Sequence, residues 1–218
     1  MGMKLGLENC RILLSRLDQP HLDFPSVHVA GSNGKGSLCV QLSAAASASG
    51  LTTGLFTSPH LVTVEERIRI DGRPIEPKNF DRALTKVREA SEQEPKCSPT
   101  YFETTFLAAM VAFSEAGVQR GIIETGMGGR LDATRLVNAD LCFLTTVSME
   151  HSEYLGETLR EIAFEKASIH RPGVPIIALD NEDATVREVI ESIAGPDLTW
   201  WTSQGETSWE GYASMVKE

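Results

Sequence analysis

A glycine-rich segment with one lysine and two serines is the strongest chemical signal in the sequence. It runs from Gly31 to Ser37, between a short apolar stretch and a stretch rich in Ala and Leu. Glycines let backbone N–H groups converge on phosphate oxygens, and the start of the following helix adds partial positive charge. Lys35 adds a full charge, and the Ser37 hydroxyl suits Mg²⁺. The sequence therefore predicts a triphosphate site formed by Gly31, Ser32, Asn33, Gly34, Lys35, Gly36 and Ser37.

The spacing of this segment differs from that of the common phosphate loop at one position. A Walker A loop has Ser or Thr directly after Gly-Lys, whereas Gly36 intervenes here. The alternative interpretation is a tight turn between a strand and a helix, with glycines that serve packing only. A lysine and a serine in this strand–turn–helix context favour phosphate binding.

Polar side chains with catalytic potential follow three other predicted strands. His60 follows Ser58-Pro59, Glu124 ends a buried strand, and Glu150-His151 follow a long apolar one. Open α/β sheets bind ligands at the carboxyl ends of their strands. Each residue alone has an ordinary alternative, a solvated histidine or a strand-end acid that faces water. Their convergence on the edge that carries the glycine-rich loop predicts a site.

Other charged residues have simpler interpretations when they are taken alone. The run at residues 65–67 (Glu-Glu-Arg) is typical of a solvated face, and Glu103 is an acid in the first turn of a helix, where the helix dipole favours it. Lys166 lies among apolar residues, so a surface lysine and a partly buried one are both open. Burial would favour a neutral amine, which can react with CO₂ to form a metal-binding carbamate.

The elements that position these residues alternate between strand and helix. Strands are predicted at residues 27–30, 53–57, 67–70, 73–75, 121–124, 141–147, 174–179 and 198–202. Helices are predicted at residues 3–17, 37–49, 80–90, 102–113, 158–169 and 184–193. Repeated β–α units with apolar strands predict an α/β fold, a mostly parallel sheet flanked by helices on both faces.

Composition narrows the classes of function. The chain has 218 residues and a formal net charge of −10, which disfavours nucleic acid and anionic membranes as partners. No stretch approaches the roughly 20 apolar residues of a membrane helix. Four scattered cysteines predict reduced, mostly buried thiols in a cytoplasmic protein. We expect one domain over residues 1–203, followed at 204–218 by a polar tail or the start of a linker.

Six motifs occur together in a fixed order. They are HVAGSNGKGS, TSPHL, ERIRIDGRPI, YFETTF, ETGMGGRLDAT and MEHSEYLGETLREIAFEKASI. In this order they resemble the bacterial folylpolyglutamate synthase/dihydrofolate synthase family of the Mur ligase superfamily, over residues 5–179. The resemblance implies the fold of a Mur ligase central domain. It also implies ATP-dependent amide formation between the carboxylate of a pteroate or folate and L-glutamate, through an acyl phosphate.

The resemblance also assigns roles by matching position. Lys35 and its loop would hold ATP, and Ser37 would bind the Mg²⁺ that accompanies it. Ser58, Glu124, His151 and Lys166 would hold a second metal, Lys166 as a carbamate. The catalytic set is then Lys35, His151 and Lys166, with ATP and Mg²⁺ as cofactors and K⁺ as an optional further ion. Glu103 lies in a family motif but receives no ligand role.

The sequence departs from the family pattern at several positions. The departures are Ser32 for Thr, Glu65 for Asn, Arg135 for Asn, Glu150 for Asp and Ser168 for Gly. None removes a proposed ligand. Glu65 and Glu150 change bulk or charge near the site, which bears on substrate preference more than on ATP binding.

The expected partners follow from the resemblance. They are dihydropteroate or a folate, L-glutamate, and a second α/β domain in cis that this chain lacks. Because such a domain closes the site and excludes water, the chain alone should turn over poorly, and we expect a monomer. Two alternatives stay open, a Mur-type ligase of cell-wall precursors and a non-catalytic nucleotide-binding module. TSPHL, ERIRI and GGRLDAT favour folate, and the intact polar site argues against loss of catalysis.

Overall fold

The computed structural model describes residues 6–202, which form a sheet with helices on both faces. The strands are β1 (Ser26–Ala30), β2 (Thr53–Phe56), β3 (Ile68–Ile70), β4 (Arg73–Pro74), β5 (Arg120–Glu124), β6 (Ala139–Leu144), β7 (Ile176–Leu179) and β8 (Leu198–Trp201). The helices are α1 (Glu8–Arg16), α2 (Lys35–Ala48), α3 (Pro77–Glu92), α4 (Tyr101–Glu115), α5 (Ser152–Leu155), α6 (Leu159–Ala167) and α7 (Ala184–Ala194).

The sheet has the strand order β4-β3-β2-β5-β1-β6-β7-β8. Every neighbouring pair from β2 to β8 is parallel, and the hairpin β3–β4 adds two antiparallel pairs at one edge. Asp71 and Gly72 both have positive φ, 48° and 76°, which matches the twist of a tight hairpin turn. The predicted α/β class with a mostly parallel sheet is confirmed.

The central position of β1 explains why the candidate residues meet. β1 is fully buried and pairs with β5 on one side and β6 on the other. In register, Val29 lies beside Glu124, and Ala30 lies beside Leu144. The carboxyl ends of three strands therefore meet at one edge, where the glycine-rich loop, Glu124 and the segment after β6 emerge.

Two apolar clusters hold the layers together. The smaller cluster packs α2 on β1, β2 and β5 through residues such as Cys39, Leu42 and Ile122. The larger cluster contains α1, α3, α4, α6 and α7 on the other face. Its aromatic rings meet edge to face, as do Phe56 and Phe106 at 5.9 Å between centroids. The sheet is thus the rigid support of the edge that bears the candidate site.

Some predicted element bounds were wrong, each for a local reason. α2 begins at Lys35, two residues early, because Gly34 at φ 85° serves as its N-cap. β6 ends at Leu144, one residue before the Thr145 N–H makes a last bond to Ala30 of β1, and from Thr146 onward the chain bonds to the glycine-rich loop. The single turn α5 is too short for a periodic pattern. The predicted first helix is confirmed from Glu8 onward, while residues 3–5 and 204–218 lie outside the described residues.

The burial of the cysteines agrees with the prediction. All four cysteines are free thiols, and Cys10, Cys39 and Cys142 are buried. Within residues 6–202, no helix has the length and apolar character needed to cross a bilayer.

Candidate functional site

The glycine-rich loop is fixed by bonds to the segment after β6. The backbone N–H of Ser32 donates to the Thr146 carbonyl at 2.6 Å, and the Asn33 N–H donates to Thr146 Oγ1 at 3.0 Å. Ser32 Oγ accepts from the Ser148 N–H at 3.0 Å. A Cβ on Gly31 would lie 1.8 Å from Thr145 Oγ1, so only glycine fits there. The loop is therefore rigid before any ligand arrives.

Lys35 and Ser37 occupy the first turn of α2, where the backbone N–H groups have no partner within the helix. The Lys35 ammonium folds back over the loop and donates to the carbonyls of Gly31 at 2.9 Å and Ser32 at 3.1 Å. Ser37 is exposed at the same helix end. Unpaired amides, an ammonium and a hydroxyl thus share one small surface, which suits the oxygens of a polyphosphate.

Glu124 lies against this helix end. Its side chain is 3% exposed, and its Oε2 accepts from the Ser58 N–H at 3.0 Å. Both carboxylate oxygens lie 3.7 Å from the point where a Cβ on Gly36 would stand. Burial raises the pKa of Glu124, against the opposing effects of the Ser58 N–H and the Lys35 charge. The structure therefore brings Ser58, Glu124 and the loop together at one sheet edge.

Lys166 is buried, at 1% exposure, and reaches the same loop from α6. Its Nζ donates to the Gly31 carbonyl at 3.0 Å and pairs with Glu150 Oε1 at 2.5 Å. Burial lowers the pKa of Lys166, although Glu150 opposes the shift. Burial acts to raise the pKa of Glu150, but its bond to Lys166, the charges of Lys166 and Lys35 and a bond to Ser32 together outweigh burial, and the pKa falls. Of the two open interpretations of Lys166, the buried one is confirmed.

His151 lies at the start of α5, exposed, with a left-handed backbone at φ 47° and ψ 39°. It shares no hydrogen bond with Glu124. Among residues 6–202, no group of three His, Cys, Asp or Glu side chains is close enough to hold a metal. The donors present here are hydroxyls and a carboxylate, hard oxygen ligands that fit Mg²⁺ when water and phosphate oxygens complete its shell.

The loop after β2 corrects one interpretation. Arg67 is 9% exposed, so the prediction of a solvated charged face was wrong for this residue. Its Nε donates to His60 Nδ1 at 2.9 Å, and its guanidinium stacks on Tyr101 at 5.2 Å. Glu66 accepts from three successive backbone N–H groups at residues 61–63 and closes the loop. His60 is thus a loop-fixing residue in the described geometry.

Glu103 is a helix-start acid, as predicted. Its Oε2 accepts from the Thr100 N–H at 2.6 Å, while the Thr100 hydroxyl accepts from the Glu103 N–H. This reciprocal pair is a capping box. The structure gives Glu103 a role in starting α4 and nothing that would point it at a ligand.

A buried series of hydrogen-bonded side chains lies behind the site and was not predicted from the sequence. Arg171 donates to His28 Nδ1 at 3.4 Å, so the ring proton lies on Nε2, which donates to Thr134 Oγ1 at 2.9 Å. Thr134 in turn donates to Asp132, whose other oxygen accepts from the N–H groups of Gly126 and Met127. The chain fixes the loop that follows Glu124. A histidine inside an apolar strand was the signal, because a buried polar group needs a partner.

The fold and the site define a phosphate-loop α/β domain, and comparisons with known proteins give its family. A model of the Mur ligase middle domain matches residues 29–211. The chain therefore belongs to the Mur ligase family.

Individual relatives show which members of this family the chain is similar to. The chain is 41% identical over 203 residues to a probable bifunctional folylpolyglutamate synthase/dihydropteroate synthase of Haloferax volcanii, covering 90% of the chain and 24% of the relative. It is 37% identical to the dihydrofolate synthase/folylpolyglutamate synthase of Bacillus subtilis, covering 89% and 47%. The E. coli FolC structure with DHPP and ADP superposes with a TM-score of 0.87 at 32% identity, covering 95% and 50%. The chain thus spans half or less of the length of these relatives.

Proposed function

We propose that this chain is the ATP-binding part of a ligase that joins the carboxylate of a pteroate or folate to the amine of L-glutamate. The observation that carries the proposal is the meeting of the rigid loop, Lys35, Ser58 and Glu124 at one sheet edge. The names of the relatives supply the substrate class. The E. coli relative, with ADP bound, supports ATP as the nucleotide.

The reaction has two steps that balance in atoms. A carboxylate oxygen attacks the γ-phosphorus of ATP, the bond to the ADP oxygen breaks, and an acyl phosphate forms. The amine of glutamate then attacks the acyl carbon, phosphate leaves, and the nitrogen loses a proton. Lys35 and the unpaired amides of α2 would hold the phosphates and offset the negative charge that builds up during transfer.

Ser37 is the proposed ligand of the Mg²⁺ that accompanies ATP, and Ser58, Glu124 and His151 are the proposed ligands of a second metal ion. When bound, Mg²⁺ supplies charge neutralisation between the γ-phosphate and the incoming carboxylate. We propose that Lys166 joins the ligands of the second metal as a carbamate. The ammonium first loses one proton, and the neutral Nζ then bonds to the carbon of CO₂ and loses a second proton. Its burial and its approach to Gly31 support this role. K⁺ is the candidate for a further ion.

The carbamate has a structural test. Crystals grown with Mg²⁺ and bicarbonate should show density for three atoms beyond Nζ of Lys166, and Glu150 displaced from its present ion pair. Density that ends at a bare amine, still paired with Glu150, would contradict the carbamate.

ATP binding has a direct test in this chain. Lys35→Ala should weaken ATP binding, measured by isothermal titration calorimetry with Mg²⁺, by about tenfold or more, because a charge-assisted bond is lost. Lys78→Ala is the matched control, since Lys78 lies at the surface, where it pairs with Glu76. Unchanged ATP affinity in Lys35→Ala would sink the proposal.

The ligase activity needs the other half of the site. We propose that the chain works as a monomer in the cytoplasm together with a C-terminal α/β domain. Glutamate-dependent release of ADP with dihydropteroate should be slow for this chain alone and faster when the C-terminal half of the Bacillus subtilis relative is added. Release that depends on a UDP-sugar peptide and not on dihydropteroate would favour a cell-wall ligase instead.

A further inference from the structure

Four arginines line a cleft outside the candidate site. The cleft has a volume of about 430 Å³ and lies between the start of α1 and the end of α6. Its arginines are Arg11, Arg130, Arg135 and Arg171. In a chain with a net charge of −10, such a concentration of positive charge is local and cannot arise from the average composition.

Two of these guanidinium groups are anchored by backbone carbonyls. Arg171 Nη2 donates to the carbonyls of Arg135 at 2.6 Å and Val137 at 3.0 Å. Arg135 donates through Nε to Ser168 O at 2.9 Å and through Nη2 to His170 O at 2.9 Å. Carbonyls carry no net charge, so these bonds fix the guanidinium groups without neutralising them.

Carboxylates do not neutralise all of the positive charge in the cleft. Arg130 pairs with Glu165, Nη2 to Oε1 at 2.8 Å. Across residues 6–202, the other three arginines have no carboxylate within ion-pair distance. Burial lowers the pKa of Arg135, and the positive charge of Arg11 lowers it further. The cleft therefore contains like charges that repel one another.

Donors remain available in this cleft. Within the described part of the chain, neither the Arg11 guanidinium nor Nη1 of Arg135 donates a hydrogen bond. Arg11 is exposed on α1, so its guanidinium is accessible to a solute. Guanidinium groups bind carboxylate and phosphate oxygens through paired N–H donors.

We propose that this cleft binds a small anion that carries two or more carboxylate or phosphate groups, with Arg11 and Arg135 as its donors. The site is separate from the glycine-rich loop and does not depend on the ligase function. Arg171 and Arg130 form its fixed walls.

Citrate and pyrophosphate are the probes, titrated by calorimetry at constant ionic strength without Mg²⁺. Arg11→Gln and Arg135→Asn should each raise the Kd by about tenfold for one probe or both, as expected for a lost charge-assisted bond. Arg73→Gln, on the exposed hairpin, is the matched control and should change neither. Pyrophosphate is tested in a Lys35→Ala background, because it can also occupy the glycine-rich loop.

The outcomes separate the alternatives. An effect on citrate alone identifies a carboxylate ligand, and an effect on pyrophosphate alone identifies a phosphate ligand. Arg11→Gln that binds both probes as the unsubstituted chain does would overturn the proposal, as would an equal loss in Arg73→Gln or loss of citrate binding in Lys35→Ala. Because Arg11 is exposed, its variant stays informative even where Arg135→Asn weakens folding, which thermal unfolding measures.

Discussion

Gly31 lies where β1 and β6 approach too closely for a side chain. Gly31→Ala would place its Cβ 1.8 Å from Thr145 Oγ1. We expect a loss of about 2 kcal/mol in the free energy of unfolding, because an overpacked site must shift its neighbours. Urea unfolding measures this loss, and ATP affinity should fall with it.

Gly36→Ala is the steric control for this prediction. Its Cβ would meet only the Glu124 carboxylate at 3.7 Å, an ordinary contact. Equal stability of the two alanine variants would show that the packing of Gly31 is not what restricts this position.

His28 gives the stability of the protein a predictable dependence on pH. Burial lowers the pKa of His28 well below its usual value, and the Arg171 charge adds to the shift. The unfolded chain therefore binds a proton below a pH of about 6.5 that the folded chain does not, and stability falls there by about 1.4 kcal/mol per pH unit. Between pH 7.5 and 5.5, the free energy of unfolding should fall less in His28→Gln than in the unsubstituted chain.

His21→Gln is a useful comparison because burial lowers the pKa of His21 as well. His21→Gln should reduce the pH dependence of the unfolding free energy only by the contribution of His21. A His28→Gln variant with the full slope would show that His28 is protonated in the folded state.

At the scale of elements, Glu66 closes the loop between β2 and β3. Its carboxylate accepts from the N–H groups of Leu61 at 2.9 Å and Val62 at 3.0 Å, and these bonds lower its pKa. Glu66→Gln should loosen the loop, so chymotrypsin should cut after Leu61, which is 92% exposed, several times faster. Glu65→Gln is the matched control. Equal rates of cutting in both variants would show that Glu66 does not close the loop.

The elements themselves were largely predictable, and their contacts were not. Apolar runs and glycine stops gave the sheet and most helices, because these are local signals. Tyr101, on which Arg67 stacks, and Thr134, which bonds to His28, lie far along the chain from their partners, so no spacing in the sequence predicted these contacts. Lys166 shows the limit of sequence prediction. Its apolar neighbours left a surface lysine and a partly buried one both open, and its ion pair with Glu150 depends on how α6 meets the loop.

At the scale of the whole molecule, buried cysteines lie in both apolar clusters, so their reactivity measures how tightly each cluster is packed. Cys39 lies in the cluster under α2, and Cys10 and Cys142 lie in the other. Burial raises the pKa of all three, that of Cys142 to about 11, so few thiolates form. Only Cys97, partly exposed, should react quickly with a disulfide reagent in the folded chain. Cys97→Ser should abolish the fast phase, and a second fast thiol would mean that one cluster opens readily.

The glycine-rich loop is held by residues far along the chain. Ser32 and Ser148, which bond to each other, are 116 positions apart. During synthesis on the ribosome, the loop therefore cannot take its final form until β6 and the residues after it have emerged. A nascent chain that ends before Thr145 contains every residue of the loop but lacks Thr146 and Ser148, which bond to it.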